Sequence, residues 1–106
     1  SDVAMFKNLE KLNLKNNNIS NISSLSGLTK LSVLKLTTNN ISDISVLSRL
    51  TRLTNLYLER NNISNVAPLM EMSSLLLLHL YYNPIPQEQI DLLREALPNC
   101  VIGFSN

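Results

Sequence analysis

The sequence predicts an α/β repeat, a solenoid of short stacked units. A parallel β-sheet lines one face, tight turns or 3-10 segments line the other, and a helix-plus-strand cap closes the C-terminal end. Three observations predict it. Leucines recur every 22 residues without an insertion, an asparagine recurs in step with them, and only after Asn83 does the chain switch to helical spacing. A period of this length marks a supersecondary unit that cannot bury its apolar side alone and so stacks on its neighbours.

The first unit carries Leu9, Leu12, Leu14, Asn17 and Ile19. The next carries Leu31, Leu34, Leu36, Asn39 and Ile41, and the third Leu53, Leu56, Leu58, Asn61 and Ile63. The fourth carries Leu75, Leu78, Leu80, Asn83 and Ile85. Alternation around Leu12 and Leu14 is a strand signature, with the two leucines on one side and the residues between them on the other. Parallel neighbours ~4.8 Å apart then set equivalent residues of successive units side by side. Asn17, Asn39, Asn61 and Asn83 fall where the chain leaves the strand. A buried amide there can satisfy main-chain groups left unpaired by the turn, so this ladder is expected to be structural.

The expected organisation is one domain over residues 1–106. Residues 1–8 read as the tail of an earlier repeat, with Val3 and Phe6 in apolar repeat positions. Repeats follow at 9–30, 31–52, 53–74 and 75–96, and 97–106 is the terminal strand of the cap. Within the cap, Ile90, Leu93 and Leu97 have helical spacing, Glu88 lies in the first turn and Pro98 ends the run. Continuing the period by 22 puts Cys100 in the slot of Leu78 and Ile102 in that of Leu80. On this count Cys100 is a buried, inert thiol. An end that lacks a comparable N-terminal cap implies a fragment of a longer array.

These spacings resemble those of the leucine-rich-repeat family. The 22-residue length and segments such as Asn-Ile-Ser-Asp-Ile-Ser-Val-Leu (residues 40–47) are similar to the bacterial internalin class. The resemblance covers about Leu9 to Phe104. It implies a right-handed solenoid that binds partners on its concave sheet face, typically within a bacterial surface or secreted protein.

Composition removes most other chemistries. Nine Lys+Arg against eight Asp+Glu leave a net charge of +1, too small a field for nucleic acid or an anionic membrane. The longest apolar run, Leu75 to Leu78, is far below the ~18 residues of a membrane span, so no membrane insertion is expected. Two glycines cannot build a phosphate loop, and one histidine with one cysteine cannot build the common zinc sites. No cofactor or metal is expected. Serines such as Ser20, Ser42 and Ser64 recur as turn residues without a coded base, so the chain is not expected to be an enzyme.

Function therefore falls on the outward strand positions. Column by column these are Lys11, Val33, Asn55, Leu77 and Asn99; Asn13, Lys35, Tyr57, His79 and Val101; Lys15, Thr37, Glu59, Tyr81 and Gly103; and Asn16, Thr38, Arg60, Tyr82 and Phe104. The candidate partner-binding residues are Lys35, Tyr57, Glu59, Arg60, Leu77, His79, Tyr81 and Tyr82. Every tyrosine of the chain lies among them, and tyrosine and arginine dominate interface hot spots. His79 reads as an ordinary polar surface residue without a partner. Lys11, Lys15 and Lys35 form a basic corner that Glu10 nearly neutralises. A protein ligand is expected; carbohydrate on Tyr57, Tyr81, Asn55 and Glu59 ranks below it. The alternatives to a recognition module are spacer repeats, or a targeting domain of an enzyme complex of phosphatase-regulator or effector type. A secreted or cell-surface location is expected, with a cytoplasmic one as the alternative. A monomer is expected, with pairing through the bare N-terminal end as the alternative.

Overall fold

Short strands follow directly from the leucine spacing. In the computed structural model, which describes residues 8–105, they are β1 (Lys11–Asn13), β2 (Val33–Lys35), β3 (Asn55–Tyr57), β4 (Leu77–His79) and β5 (Val101–Gly103). They form one parallel sheet in chain order. Leu34, Leu56 and Leu78, the middle residues of β2 to β4, are fully buried while both flanking residues stay half-exposed. The strands are only three residues long because the turn that carries the asparagine follows at once. The readings of Val3 and Phe6 lie outside the described residues. Leu9, Leu12, Leu14 and Ile19 of the first repeat are half-buried and border an apolar groove of about 380 Å³.

The opposite face is made of 3-10 turns at Ser23–Gly27, Ser45–Arg49 and Ala67–Leu69. Each is entered through an Asx turn. The side-chain oxygens of Asn21, Asp43 and Asn65 accept the N–H of Ser23, Ser45 and Ala67 at 2.9 to 3.0 Å. The bond from Ser45 holds the Asp43 carboxyl below the usual carboxylate range. Leu25, Leu47 and Leu69 point inward from these turns and meet the strand leucines in one continuous core.

The asparagines tie one repeat to the next. Asn61 Oδ1 accepts the N–H of Ile41 at 3.0 Å, and its Nδ2 donates to the carbonyls of Leu36 and Leu58, both at 3.0 Å. Asn83 repeats the pattern with the Ile63 N–H and the Leu58 and Leu80 carbonyls. Asn39 accepts from both Asn17 and Ile19 and donates to Leu14 and Leu36. Each amide thus closes its own turn and ties down its predecessor's. Asn17 differs from the other three: it is exposed, and among the described residues its Nδ2 reaches only the Lys15 carbonyl two residues back.

One feature departs from the 22-residue count. Leu12, Leu34 and Leu56 pair with the residue 22 positions on, but Leu78 pairs with Ile102, 24 positions on. The cause is helix α1 (Gln87–Ala96), which replaces a 3-10 turn. An α-helix rises ~1.5 Å per residue against ~2.0 Å for a 3-10 turn, so crossing the same face takes more chain. Hence Ile102, not Cys100, takes the Leu78 position, and Gly103, not Val101, lies beside His79. Cys100 is only half-buried, a correction to its expected core role; burial still pushes its thiol pKa up.

The backbone of the turn keeps the period. Asn16, Thr38, Arg60 and Tyr82 have φ of 57 to 60°, in the left-handed region. This outward column therefore belongs to the turn rather than the sheet. Threonine, arginine and tyrosine seldom adopt that conformation unaided. Stacking imposes it, since the N–H of Thr38 reaches the Glu59 carbonyl at 2.9 Å and that of Arg60 reaches Tyr81 at 3.0 Å.

Candidate functional site

Register brings the ends of β2, β3 and β4 together on the outward side of the sheet, with Lys35 beside Tyr57 and Tyr57 beside His79. The Lys35 ammonium stands 5.5 Å from the centre of the Tyr57 ring. The Tyr57 and His79 rings meet edge-to-face at 5.1 Å, and His79 meets Tyr81 at 5.5 Å with 67° between planes. Edge-to-face contact suits the ring quadrupoles and fixes three half-exposed side chains relative to one another.

His79 does have a partner, contrary to its reading as a lone surface residue. Its Nδ1 lies 3.3 Å from Glu59 Oε2, and the Thr37 hydroxyl donates to Glu59 Oε1 at 2.9 Å. With the imidazole hydrogen on Nδ1, both carboxylate oxygens are engaged. Glu59 is therefore held across three strands instead of reaching freely into solvent.

The remaining candidates lie around this group. Arg60 and Tyr82, in the left-handed turn, form their own pair, with the guanidinium carbon 4.4 Å from the Tyr82 ring centre. Tyr82 is 54% exposed, a large apolar surface at the margin of the face. Leu77 is half-buried at the start of β4. Leu76 and Val101 are exposed near it. Among the described residues no group of three or more His, Cys, Asp or Glu side chains could hold a metal ion, and no helix is long and apolar enough to cross a membrane.

The model of tandem leucine-rich repeats matches residues 7–49. Among solved structures, internalin C2 of Listeria monocytogenes superposes with a TM-score of 0.88 at 34% identity, covering 97% of this chain and 45% of that one. This chain is built of leucine-rich repeats. A second Listeria monocytogenes internalin, InlF, superposes with a TM-score of 0.87 at 30% identity, over 98% of this chain and 32% of that one. The Arabidopsis receptor kinase HAESA, solved in complex with the peptide hormone IDA and a co-receptor, gives 0.69 at 27% identity, over 96% and 18%. The leucine-rich-repeat chain thus spans less than half the length of each of these proteins. No curated protein sequence matches it. The leucine-rich-repeat fold is typically that of a protein-interaction module, and generally not that of an enzyme.

Two contributors to the leucine-rich-repeat face escaped the residue-type reading. Thr37 anchors Glu59, although threonine carries no signature of a binding site. Gly103 seats Tyr81: a Cβ built on it would lie 2.5 to 2.6 Å from that ring. Any other residue at 103 displaces Tyr81, because the ring lies directly on the glycine backbone. The 22-residue count set Gly103 beside Tyr81, whereas the sheet pairs it with His79; a residue without a side chain gave no sign that a ring would lie on it.

Proposed function

We propose that this chain is a non-enzymatic recognition module that binds a protein partner on its concave sheet face, within a longer bacterial surface or secreted protein. Tyr57, His79 and Tyr81 form the centre, with Lys35, Glu59, Arg60, Leu77 and Tyr82 around it. The observation that carries the reading is the interlocked Tyr57–His79–Tyr81 group, already braced by Glu59 and Thr37. Rings held in place before binding lose little side-chain freedom on contact, and each offers apolar area with a polar edge. Similarity to the Listeria internalins supports the bacterial setting. The HAESA complex shows a peptide hormone as ligand of one structural neighbour.

The test is affinity capture from host-surface extracts and from the source cell, with wild type beside Tyr57→Ser/Tyr81→Ser/Tyr82→Ser. All three tyrosines are exposed or half-exposed, so circular dichroism should show equal folding. A protein retained by wild type and lost by the variant is the expected result. Equal retention, or none by either, contradicts the reading.

A further inference from the structure

Beside the tyrosine group lies a second feature of the same face. A groove of about 360 Å³ runs over β1, β2 and β3 between Lys11 and Lys35, with Val33 and Tyr57 as its apolar wall and Asn13 and Asn55 along it. Its polar chemistry is one-sided. Asn13 Oδ1 already accepts the Lys15 N–H, and Asn55 Oδ1 lies 2.9 Å from the Thr54 hydroxyl, which has a single proton and the Ser32 carbonyl as its other acceptor at 3.1 Å. Among the described residues, neither amide nitrogen has a hydrogen-bond acceptor and neither lysine an ion pair. No carboxylate lines the groove. The nearby acid, Glu59, is occupied by Thr37 and His79. Glu10, expected to neutralise this corner, is absent from the lining.

The groove therefore offers two ammonium groups and two amide N–H₂ groups, with the Asn13 oxygen engaged by the Lys15 N–H. Such a set favours an anionic acceptor, since a cation would meet two ammonium groups and no carboxylate. We propose that it receives the carboxylate of an aspartate or glutamate on an extended segment of the partner protein, whose neighbouring apolar residue lies on Val33 and Tyr57. This rests on the concave-face reading above and adds the charge of the ligand to it. A protein carboxylate fits better than a nucleic-acid backbone because a net charge of +1 provides no wider basic field.

A random peptide library displayed on phage tests this directly. It is selected on wild type and on Lys11→Glu/Lys35→Glu, and the enriched peptides are then measured against both and against the triple tyrosine variant. Wild type should enrich peptides rich in Asp and Glu next to an aliphatic or aromatic residue. These should lose about tenfold or more in affinity on the charge-reversed protein, which should instead enrich Lys and Arg. Lys11→Gln/Lys35→Gln, which introduces no repulsion, should show a smaller loss in the same direction. Enriched peptides without an acidic bias, binding indifferent to both lysine variants, or no enrichment at all overturns the proposal. If non-acidic peptides still lose binding on the tyrosine variant, the concave-face reading survives without the acidic groove. Peptides indifferent to every variant overturn both.

Discussion

Asn61→Ala is expected to destabilise the domain by about 2–4 kcal/mol, because it leaves the buried Ile41 N–H unpaired and removes one of two amide donors from each of the Leu36 and Leu58 carbonyls, which keep Asn39 and Asn83. A buried group left unpaired costs about 1–3 kcal/mol, and a hydrogen bond lost at a carbonyl that keeps another costs less. Asn61 serves the Ile41 N–H and the Leu36 and Leu58 carbonyls, on two successive repeats. The side chain is only 9% exposed, so water cannot readily take its place. A loss of this size is a large part of the ~5–15 kcal/mol that holds a domain folded. Asn17→Ala provides the comparison. Among the described residues its exposed amide nitrogen reaches only Lys15, so the expected loss is below about 1 kcal/mol, as for an ordinary solvent-exposed hydrogen bond. Urea unfolding of both variants checks the contrast, and similar losses would mean that the ladder does not bind repeats together.

Ile102→Ala should cost about 2–4 kcal/mol, while Cys100→Ala should stay within about 1 kcal/mol. The reason is the two-residue shift in the cap. Ile102 pairs with Leu78 and fills the core position beside it, at 9% exposure. Cys100 sits before the strand, half-buried. Truncating Ile102 also leaves a cavity at the end of the core, where α1 contributes Ile90 and Leu93. The unshifted count puts both residues in the core, Cys100 in the slot of Leu78 and Ile102 in that of Leu80, so it implies a clear loss for Cys100→Ala as well. Denaturant midpoints for the two variants distinguish the registers.

That shift shows where a periodic sequence becomes hard to read. The Leu34, Leu56 and Leu78 columns were legible because each residue does one job, burial, and only an apolar side chain of that size does it. The cap kept the in–out alternation after an insertion of two residues, and an even insertion leaves that alternation unchanged. Only the pairing of Leu78 with Ile102 reveals it. Asn39, Asn61 and Asn83 were legible by recurrence, but the exposure of Asn17 depends on which neighbours surround it. The left-handed backbone at Thr38, Arg60 and Tyr82 carried no signal, because stacking overrides what these residues prefer alone.

At the candidate site, recurrence placed Tyr57, His79 and Tyr81 on one face correctly in kind. It did not show the bond between His79 and Glu59, whose partners lie 20 residues apart rather than 22. A contact running diagonally between strands is invisible to column-by-column reading. The donor-rich character of the groove was hidden for a related reason. It depends on which atom of Asn13 is already engaged and on the absence of a carboxylate from the lining, matters of local geometry rather than of composition.

Site-specific photo-crosslinking tests the central claim, recognition through the concave face, most directly. A benzophenone side chain is placed at Thr37, on the rim of the ring group, and separately at Ser48, on the exposed 3-10 face. Both proteins are irradiated in the extracts used for capture. Recognition by the sheet face should give a discrete adduct from position 37 and none from position 48. An adduct from position 48 alone, or equal yields from the two, would contradict it.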